Sequence, residues 1–186
     1  MISPLRSPEL LDIDRSRVLL IDVQERFIPV IEGAETVVQQ CVRIIRGAQL
    51  LGVPVHATEQ YPKGLGPTVP ELNSLVGDCP EKMEFSSANS FEWSRQSGPE
   101  DRDQIVLVGI EAHVCMIQTA LDLLSRGFRV FVPADATSSR LRSNCEVALA
   151  RMTASGVTVT CVESVLFEWC QTAAHPQFKQ ISQLVK

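Results

Sequence analysis

One short segment combines the residue types and the spacing that nucleophilic chemistry needs. Residues 109–115 read Gly-Ile-Glu-Ala-His-Val-Cys, after the apolar run 105–108 and before the apolar, helix-like stretch 116–124. This order predicts a buried strand, a turn and the start of a helix near Cys115. A helix N-terminus carries a partial positive charge, and a thiol placed there is most easily held as the nucleophilic thiolate. Cys115 is therefore the first candidate nucleophile.

The candidate base is Asp22, because a helix terminus alone would not activate a thiol. Lowering a thiol pKa by about 1.5 units takes about 2 kcal/mol, whereas a helix terminus supplies only about 0.3–1 kcal/mol. Asp22 directly follows the apolar run 18–21. A buried carboxylate needs a nearby cation, and Lys63, Lys82 and several arginines are available without the spacing choosing among them. The alternative is that Asp22 only caps the next turn.

The remaining cysteines and the histidines fit structural roles better. Three cysteines fall within helical or strand periodicities and are expected in the core, while two lie in a loop and near a helix end. In that order they are Cys41, Cys145, Cys161, Cys79 and Cys170. His56, His113 and His175 have no zinc-type spacing around them. A small buried apolar role remains the alternative for Cys115 itself.

Composition limits the class of protein. A chain of 186 residues with 45% hydrophobic residues predicts one domain, over residues 1–186, with a sizeable core. The net charge of −5, from 17 basic and 22 acidic residues, argues against binding to a nucleic-acid backbone. No apolar stretch approaches the roughly 18 residues of a membrane span, and residues 1–12 do not resemble a signal peptide. Six cysteines without a CxxC spacing favour a reducing, cytoplasmic compartment.

Strands and helices alternate along the chain, which predicts an α/β protein with a parallel sheet covered on both faces. Predicted strands cover 18–21, 53–58, 105–109, 129–134 and 157–162, and predicted helices cover 36–51, 91–95, 115–125, 143–155, 163–170 and 176–185. Ser143 is expected to cap its helix. Residues 59–88 look irregular and long enough to be functional. Ligands of such sheets bind beyond the carboxyl ends of the strands, where Asp22 and residues 109–115 fall. Neither GxGxxG nor a P-loop motif occurs, so no cofactor is predicted.

Several segments together resemble the isochorismatase-like cysteine hydrolases, and most closely the subgroup of isochorismatase domain-containing proteins. The matching stretches are 19–27, 57–66, 82–86, 109–123, 135–140 and 164–168, followed by His175-Pro176 and Phe178-Lys179. The resemblance runs from about residue 15 to the C-terminus. It implies a Rossmann-like, three-layer α/β/α fold with a six-stranded, mostly parallel sheet.

The resemblance also implies a site. The catalytic trio of the family maps onto Asp22, Lys82 and Cys115. The resemblance therefore selects Lys82 as the cation beside Asp22. A cis peptide bond is implied between Ile110 and Glu111, aiming the amides of Glu111 and Cys115 into an oxyanion hole. Metal-binding relatives carry an Asp and paired histidines after the second strand, where this chain reads Glu-Gln-Tyr-Pro, so no metal is expected. True isochorismatases lack the cysteine, so enol-ether hydrolysis is not expected.

The leading hypothesis is a metal-free hydrolase of a small amide-type substrate, acting through a thioester on Cys115. The expected pocket residues are Gln24, Phe27, Tyr61, Phe85 and Gln118. The alternatives are a catalytically silent ligand-binding, scaffold or redox-sensitive member of the same fold, and, more weakly, a nucleic-acid-binding protein. No membrane partner is expected, and the resemblance implies a homo-oligomer.

Overall fold

A parallel β-sheet forms the centre of the protein in a computed structural model, which describes residues 6–93 and 101–186. Six strands pair in the order β3-β2-β1-β4-β5-β7, and the short β6 pairs with the end of β4. Every pairing between these strands is parallel. The strands are β1 (Ser16–Ile21), β2 (Val55–Gln60), β3 (Glu81–Lys82), β4 (Gln104–Ile110), β5 (Arg129–Pro133), β6 (Thr137–Ser138) and β7 (Thr158–Thr160). The predicted fold class is confirmed.

Seven α-helices flank this sheet in the described part of the chain. They are α1 (Ala34–Leu51), α2 (Pro62–Leu65), α3 (Pro70–Val76), α4 (Ile117–Ser125), α5 (Arg142–Ala154), α6 (Val162–Cys170) and α7 (Phe178–Leu184). Short 3-10 turns lie at Ile28–Val30 and Ala134–Ala136, and a π-helical turn at Ala112–Met116 leads into α4. No helix within the described residues, 6–93 and 101–186, is long and apolar enough to cross a membrane.

The two central strands are apolar on both faces because helices cover both sides of the sheet. All seven residues of β4 are buried, and it pairs with β1 from Ser16 opposite Gln104 to Ile21 opposite Gly109. Gly109 has φ 141°, and a Cβ built there would lie 2.3 Å from the carbonyl oxygen of Ile21. Only glycine lets the ends of β1 and β4 approach this closely, and these ends carry the site.

Each face of the sheet has its own core. On one face, α1 and α6 bury Trp169, whose indole Nε1 donates a 2.9 Å hydrogen bond to Ser16 Oγ. On the other face, α4 and α5 cover β4 and β5. His56 meets the stacked rings of Phe91 and Trp93 edge-on at 5.1 and 4.9 Å, and burial lowers its pKa to about 4. His56 is therefore a neutral, half-buried residue packed against two aromatic rings.

The chief errors of the sequence prediction lie in residues 59–88. This stretch holds α2, α3 and β3 rather than irregular chain. Pro62 and Pro70 stand at the first positions of their helices, where the missing amide proton carries no penalty, so they start the helices instead of breaking them.

Two smaller predictions also need correction. Helix α5 begins at Arg142 after Leu141, so Ser143 lies inside the first turn and is not its cap. The expected helix over 91–95 is not formed at residues 91–93, and Ser94 and Arg95 lie outside the described residues.

Candidate active site

The carboxyl ends of β1, β3 and β4 bring three ionisable side chains to one edge of the sheet. Asp22 follows β1 and takes a left-handed backbone conformation, with φ 55°. Lys82 ends β3, where it pairs with Gln60 of β2. Cys115 lies in the π-helical turn after β4. The structure thus places all three members of the predicted trio at one edge of the sheet.

A buried ion pair joins the acid and the amine. Lys82 Nζ lies 2.7 Å from Asp22 Oδ2, and the two side chains are 4% and 1% exposed. The ammonium also donates to Gln60 Oε1 at 2.7 Å and to the backbone carbonyl of Phe85 at 3.1 Å. A buried ammonium needs this many acceptors, since each unsatisfied proton would carry a large desolvation penalty. Lys82 is therefore held in one position.

Burial and the neighbouring ammonium shift the pKa of Asp22 in opposite directions. Burial raises its pKa above the ordinary value, and the charge and hydrogen bond of Lys82 oppose that rise. Thr58 Oγ1 donates to Asp22 Oδ1 at 2.9 Å, and the Cys115 thiol lies close enough for it and the carboxylate to shift each other's pKa. A carboxylate with a raised pKa in contact with a thiol is suited to accept its proton.

Burial opposes ionisation of the candidate nucleophile, the thiol of Cys115. Burial raises the pKa of Cys115 to about 12, and the negative charge of Asp22 adds to the rise against the opposing effect of Lys82. The expectation of a depressed pKa at a helix start is therefore wrong. The thiol is only 3% exposed, and desolvation outweighs both the cation and any helix dipole. A thiol in this environment would need a neighbouring base before it could act as a nucleophile.

The turn before Cys115 is made without the expected cis peptide bond. The structure has no cis bond within 6–93 and 101–186, so the Ile110–Glu111 bond is trans and that prediction is wrong. The chain reverses instead through Gly109, with φ 141°, and through Glu111, with φ 56° and ψ 56°. The carbonyl of Glu111 then accepts the amide of Val114 at 2.8 Å, which starts the π-helical turn.

The side chain of Glu111 is part of a second charged cluster, which the sequence prediction missed. Its buried Oε1 accepts a 2.6 Å hydrogen bond from Arg140 Nε, and its Oε2 lies 3.2 Å from His113 Nδ1 without hydrogen-bond alignment. His113 Nδ1 also lies 3.1 Å from Ser139 Oγ. This cluster ties residues 139–140 to the turn that carries the thiol. Glu111 and Arg140 both fall in stretches of family resemblance, and this is the sequence signal that could have pointed to the cluster.

The predicted pocket residues fall into two groups. Tyr61 and Phe85 are 47% and 52% exposed, and Tyr61 lines a cavity of about 400 Å³ that reaches Lys82. Gln118 is exposed on α4. Gln24 is buried, and its amide bonds to the backbone of Gln60 and Gly66, so it fastens β2 to the following loop. Phe27 is half-buried against the core.

Two other features of the surroundings bear on the site. A larger cavity of about 870 Å³ lies between α1, α3 and the C-terminal residues, and it contains none of the predicted trio. The smaller cavity is lined by one member of the trio, Lys82, and by neither Asp22 nor Cys115. In the part of the chain that the structure describes, no three His, Cys, Asp or Glu side chains are grouped closely enough to hold a metal ion.

The fold and site define a class: three-layer α/β proteins with a polar centre at the carboxyl edge of a parallel sheet. The family model for the isochorismatase domain matches residues 16–164, and the chain belongs to the isochorismatase family. It is 42% identical over 170 residues to isochorismatase domain-containing protein 2 of Danio rerio, covering 91% of this chain and 86% of that one. The Homo sapiens protein of the same name is 43% identical over 171 residues, covering 92% and 83%.

A solved structure shows the same fold. The MAR1 ribonuclease from Caenorhabditis elegans superposes with a TM-score of 0.84 at 34% identity, covering 95% of this chain and 92% of that one. The family assignment made from the sequence is confirmed, and it indicates an isochorismatase-like hydrolase.

Proposed function

We propose that the protein is a cysteine hydrolase that cleaves an amide-type C–N bond of a small molecule. The observation that carries this proposal is the buried ion pair of Asp22 and Lys82, whose two charges both act on the thiol of Cys115. A nucleophile, a base in contact with it and a group orienting the base are the parts that acyl transfer through a covalent intermediate requires.

Each group has a defined task. Asp22 takes the thiol proton while the Cys115 sulfur attacks the substrate carbonyl, and the same proton passes to the leaving amine as the C–N bond breaks. Water then attacks the thioester; Asp22 removes its proton and returns it to the departing sulfur. Lys82 holds Asp22 ionised and oriented between these steps. The amides of Glu111 and Cys115 remain the donors to the carbonyl oxygen that the family resemblance implies, without the cis bond that the resemblance expected to aim them.

The test uses the wild-type protein and three variants on a panel of small amides. Cys115→Ala and Asp22→Asn should each lower kcat/KM at least about 10³-fold, since removing a nucleophile or its base removes the covalent route. Cys161→Ala, a cysteine off the site whose Sγ contacts Ser164 Oγ at 3.1 Å, serves as the matched control and should keep full activity. Intact-protein mass spectrometry should detect an acyl adduct on Cys115. Turnover by Cys115→Ala at the wild-type rate would overturn the proposal.

The high pKa of Cys115 favours a second candidate, a catalytically silent or redox-sensitive ligand-binding member of the fold. A thiol with a pKa of about 12 that no base activates would be inert at neutral pH. Alkylation separates the two candidates, because an activated Cys115 reacts faster than a free cysteine at pH 7 and an inert one reacts more slowly. No turnover on any amide together with slow alkylation would establish the silent candidate.

The name of the Caenorhabditis elegans relative makes RNA a third candidate substrate. The net charge of −5 and the buried positions of Lys82 and Cys115 disfavour it, because phosphate recognition relies on accessible cations. A phosphodiester cleavage by Asp22 and Lys82 would need no thiol. Cys115→Ala should therefore retain any ribonuclease activity, whereas it should lose amide hydrolysis.

We also propose that the chain self-associates and resides in a reducing compartment such as the cytoplasm. The large exposed side chains of Tyr61, Met83 and Phe85 lie together beside the site and support contact with a second copy. All six cysteines carry free thiols, which supports the compartment. Light scattering of the purified protein measures the subunit number.

A further inference from the structure

We infer that Thr58, Ser87 and Thr119 are positioning residues that form a hydrogen-bonded circuit from the base to the backbone of the nucleophile. The inference deepens the proposed function and rests on it for its chemical meaning. The circuit runs from Asp22 through the three residues to the backbone of Cys115, whose thiol is also coupled electrostatically to the Asp22 carboxylate.

The first half of the circuit has a fixed direction. Thr58 Oγ1 lies 2.9 Å from Asp22 Oδ1 and 3.0 Å from Ser87 Oγ. An ionised carboxylate only accepts hydrogen bonds, so the single hydroxyl proton of Thr58 goes to Asp22. Ser87 must then donate its own proton to Thr58. Ser87 therefore polarises the hydroxyl that stabilises the base.

The second half returns to the nucleophile. Thr119 Oγ1 accepts the backbone amide of Ser87 at 2.8 Å and donates to the carbonyl of Cys115 at 2.7 Å. Because Thr119 lies one turn further along the chain than Cys115, its hydroxyl fixes the backbone that carries the sulfur. The chain segment at Ser87 is thus bonded to β2 on one side and to α4 on the other.

Burial argues that the circuit serves the site rather than filling space. The five residues are between 0% and 3% exposed. A valine would fill the place of either threonine at no polar cost, whereas a buried hydroxyl is tolerated only when it is fully bonded. The same segment supplies the Phe85 carbonyl that holds Lys82. One stretch of chain therefore orients the base, its cation and the nucleophile together.

The test measures the rate of Cys115 alkylation by iodoacetamide against pH, which requires no substrate. The ionisable groups that contact Asp22 are Lys82 and Cys115, and the charge of Glu111 also acts on the thiol; all are unchanged in the variants. Thr58→Val removes a hydrogen bond to a charged carboxylate, so the acid-side midpoint of the rate profile should rise by about one pH unit. Ser87→Ala should shift it by less.

For Thr119, the circuit predicts a different change in the alkylation profile. Thr119→Val should lower the plateau rate several-fold with little shift of the midpoint, because it touches the backbone of Cys115 and not Asp22. Thr137→Val is the matched control, since Thr137 is also buried and donates to a backbone carbonyl, that of Pro133, at 2.9 Å. Thr58→Ser should restore the wild-type profile, because it returns the hydroxyl.

The circuit and the proposed hydrolysis fail in different ways. If Thr58→Val has the same profile as Thr137→Val, the circuit is refuted, whatever the activity on amides. If the midpoint shifts as expected while no amide is turned over, the circuit stands and the hydrolase proposal fails. If Asp22→Asn leaves the profile unchanged, the base does not control the thiol, and both fail.

Discussion

Replacing Lys82 with methionine removes the ammonium from the buried ion pair while keeping a side chain of similar length. At the observed 2.7 Å separation, the attraction between Lys82 and Asp22 is about 6 kcal/mol at an effective dielectric of 20. Desolvation of both ions offsets much of this gain. Removing one partner of a buried pair nevertheless costs about 3–5 kcal/mol, because the other charge remains buried. Asp22 keeps the donor Thr58, so we expect a loss near 3 kcal/mol at pH 8.

The loss should depend on pH with a definite sign. Burial already raises the pKa of Asp22, and removing Lys82 removes the main opposing effect, so the pKa in the variant rises further. A carboxyl whose folded pKa exceeds its unfolded pKa adds stability below the unfolded value and loses it as pH rises through the folded value. Lys82→Met should therefore be closer to wild type at pH 5 than at pH 8.

Urea unfolding followed by circular dichroism at the two pH values measures this effect. Adding Asp22→Asn to Lys82→Met removes the stranded charge, so the double variant should be more stable at pH 8 than Lys82→Met alone. Lys63→Met, an exposed lysine near the same cavity, is the control and should not change the midpoint. An equal loss at both pH values, or strictly additive single effects, would refute the coupling of these two charges.

Two further substitutions test the frame around the site. Gly109→Ala would place a Cβ 2.3 Å from a backbone oxygen of β1 and should lower the free energy of unfolding by more than about 3 kcal/mol. Gly33→Ala is the control, because no atom lies within 4 Å of its new Cβ, and it should cost about 1–2 kcal/mol for its positive φ. Thermal and urea unfolding measure both changes. Glu111→Gln replaces the charge-assisted hydrogen bond to Arg140, whose side chain is 55% exposed, with a neutral one and should lower stability by about 1 kcal/mol, while Glu146→Gln on the exposed surface should leave the unfolding midpoint unchanged. Equal effects within either pair would contradict the structural explanation.

The central strands could be predicted because their sequence pattern has one physical solution. The apolar runs that form β1 and β4 have no polar face, and a strand without a polar face must be covered on both sides. The short β3 could not be found in this way. It has only two residues, Glu81 and Lys82, and forms through pairing with β2 rather than through any pattern of its own.

The candidate site was predictable in its members and not in its electrostatics. Asp22 and Cys115 follow apolar strands, so their common edge follows from the topology. Lys82 came only from family resemblance, because nothing in its local sequence indicates a buried ammonium. The pKa of Cys115 depends on three-dimensional burial and on the charge of Asp22, which lies 93 positions earlier in the sequence and therefore lies outside any local pattern.

The backbone at the strand ends explains why the site's side chains meet. Among the described residues, four residues other than glycine have positive φ, and three of them directly follow β1, β2 and β4: Asp22, Tyr61 and Glu111. Each such conformation costs about 1–2 kcal/mol and persists only where the surroundings enforce it. With a negative φ, the backbone at each of these residues would continue the strand. Successive side chains would then keep alternating between the two faces of the sheet. Asp tolerates this conformation, but Tyr and Glu give no sequence signal for it. The strained turns at three neighbouring strand ends therefore point independently to the same edge as the buried acid, amine and thiol.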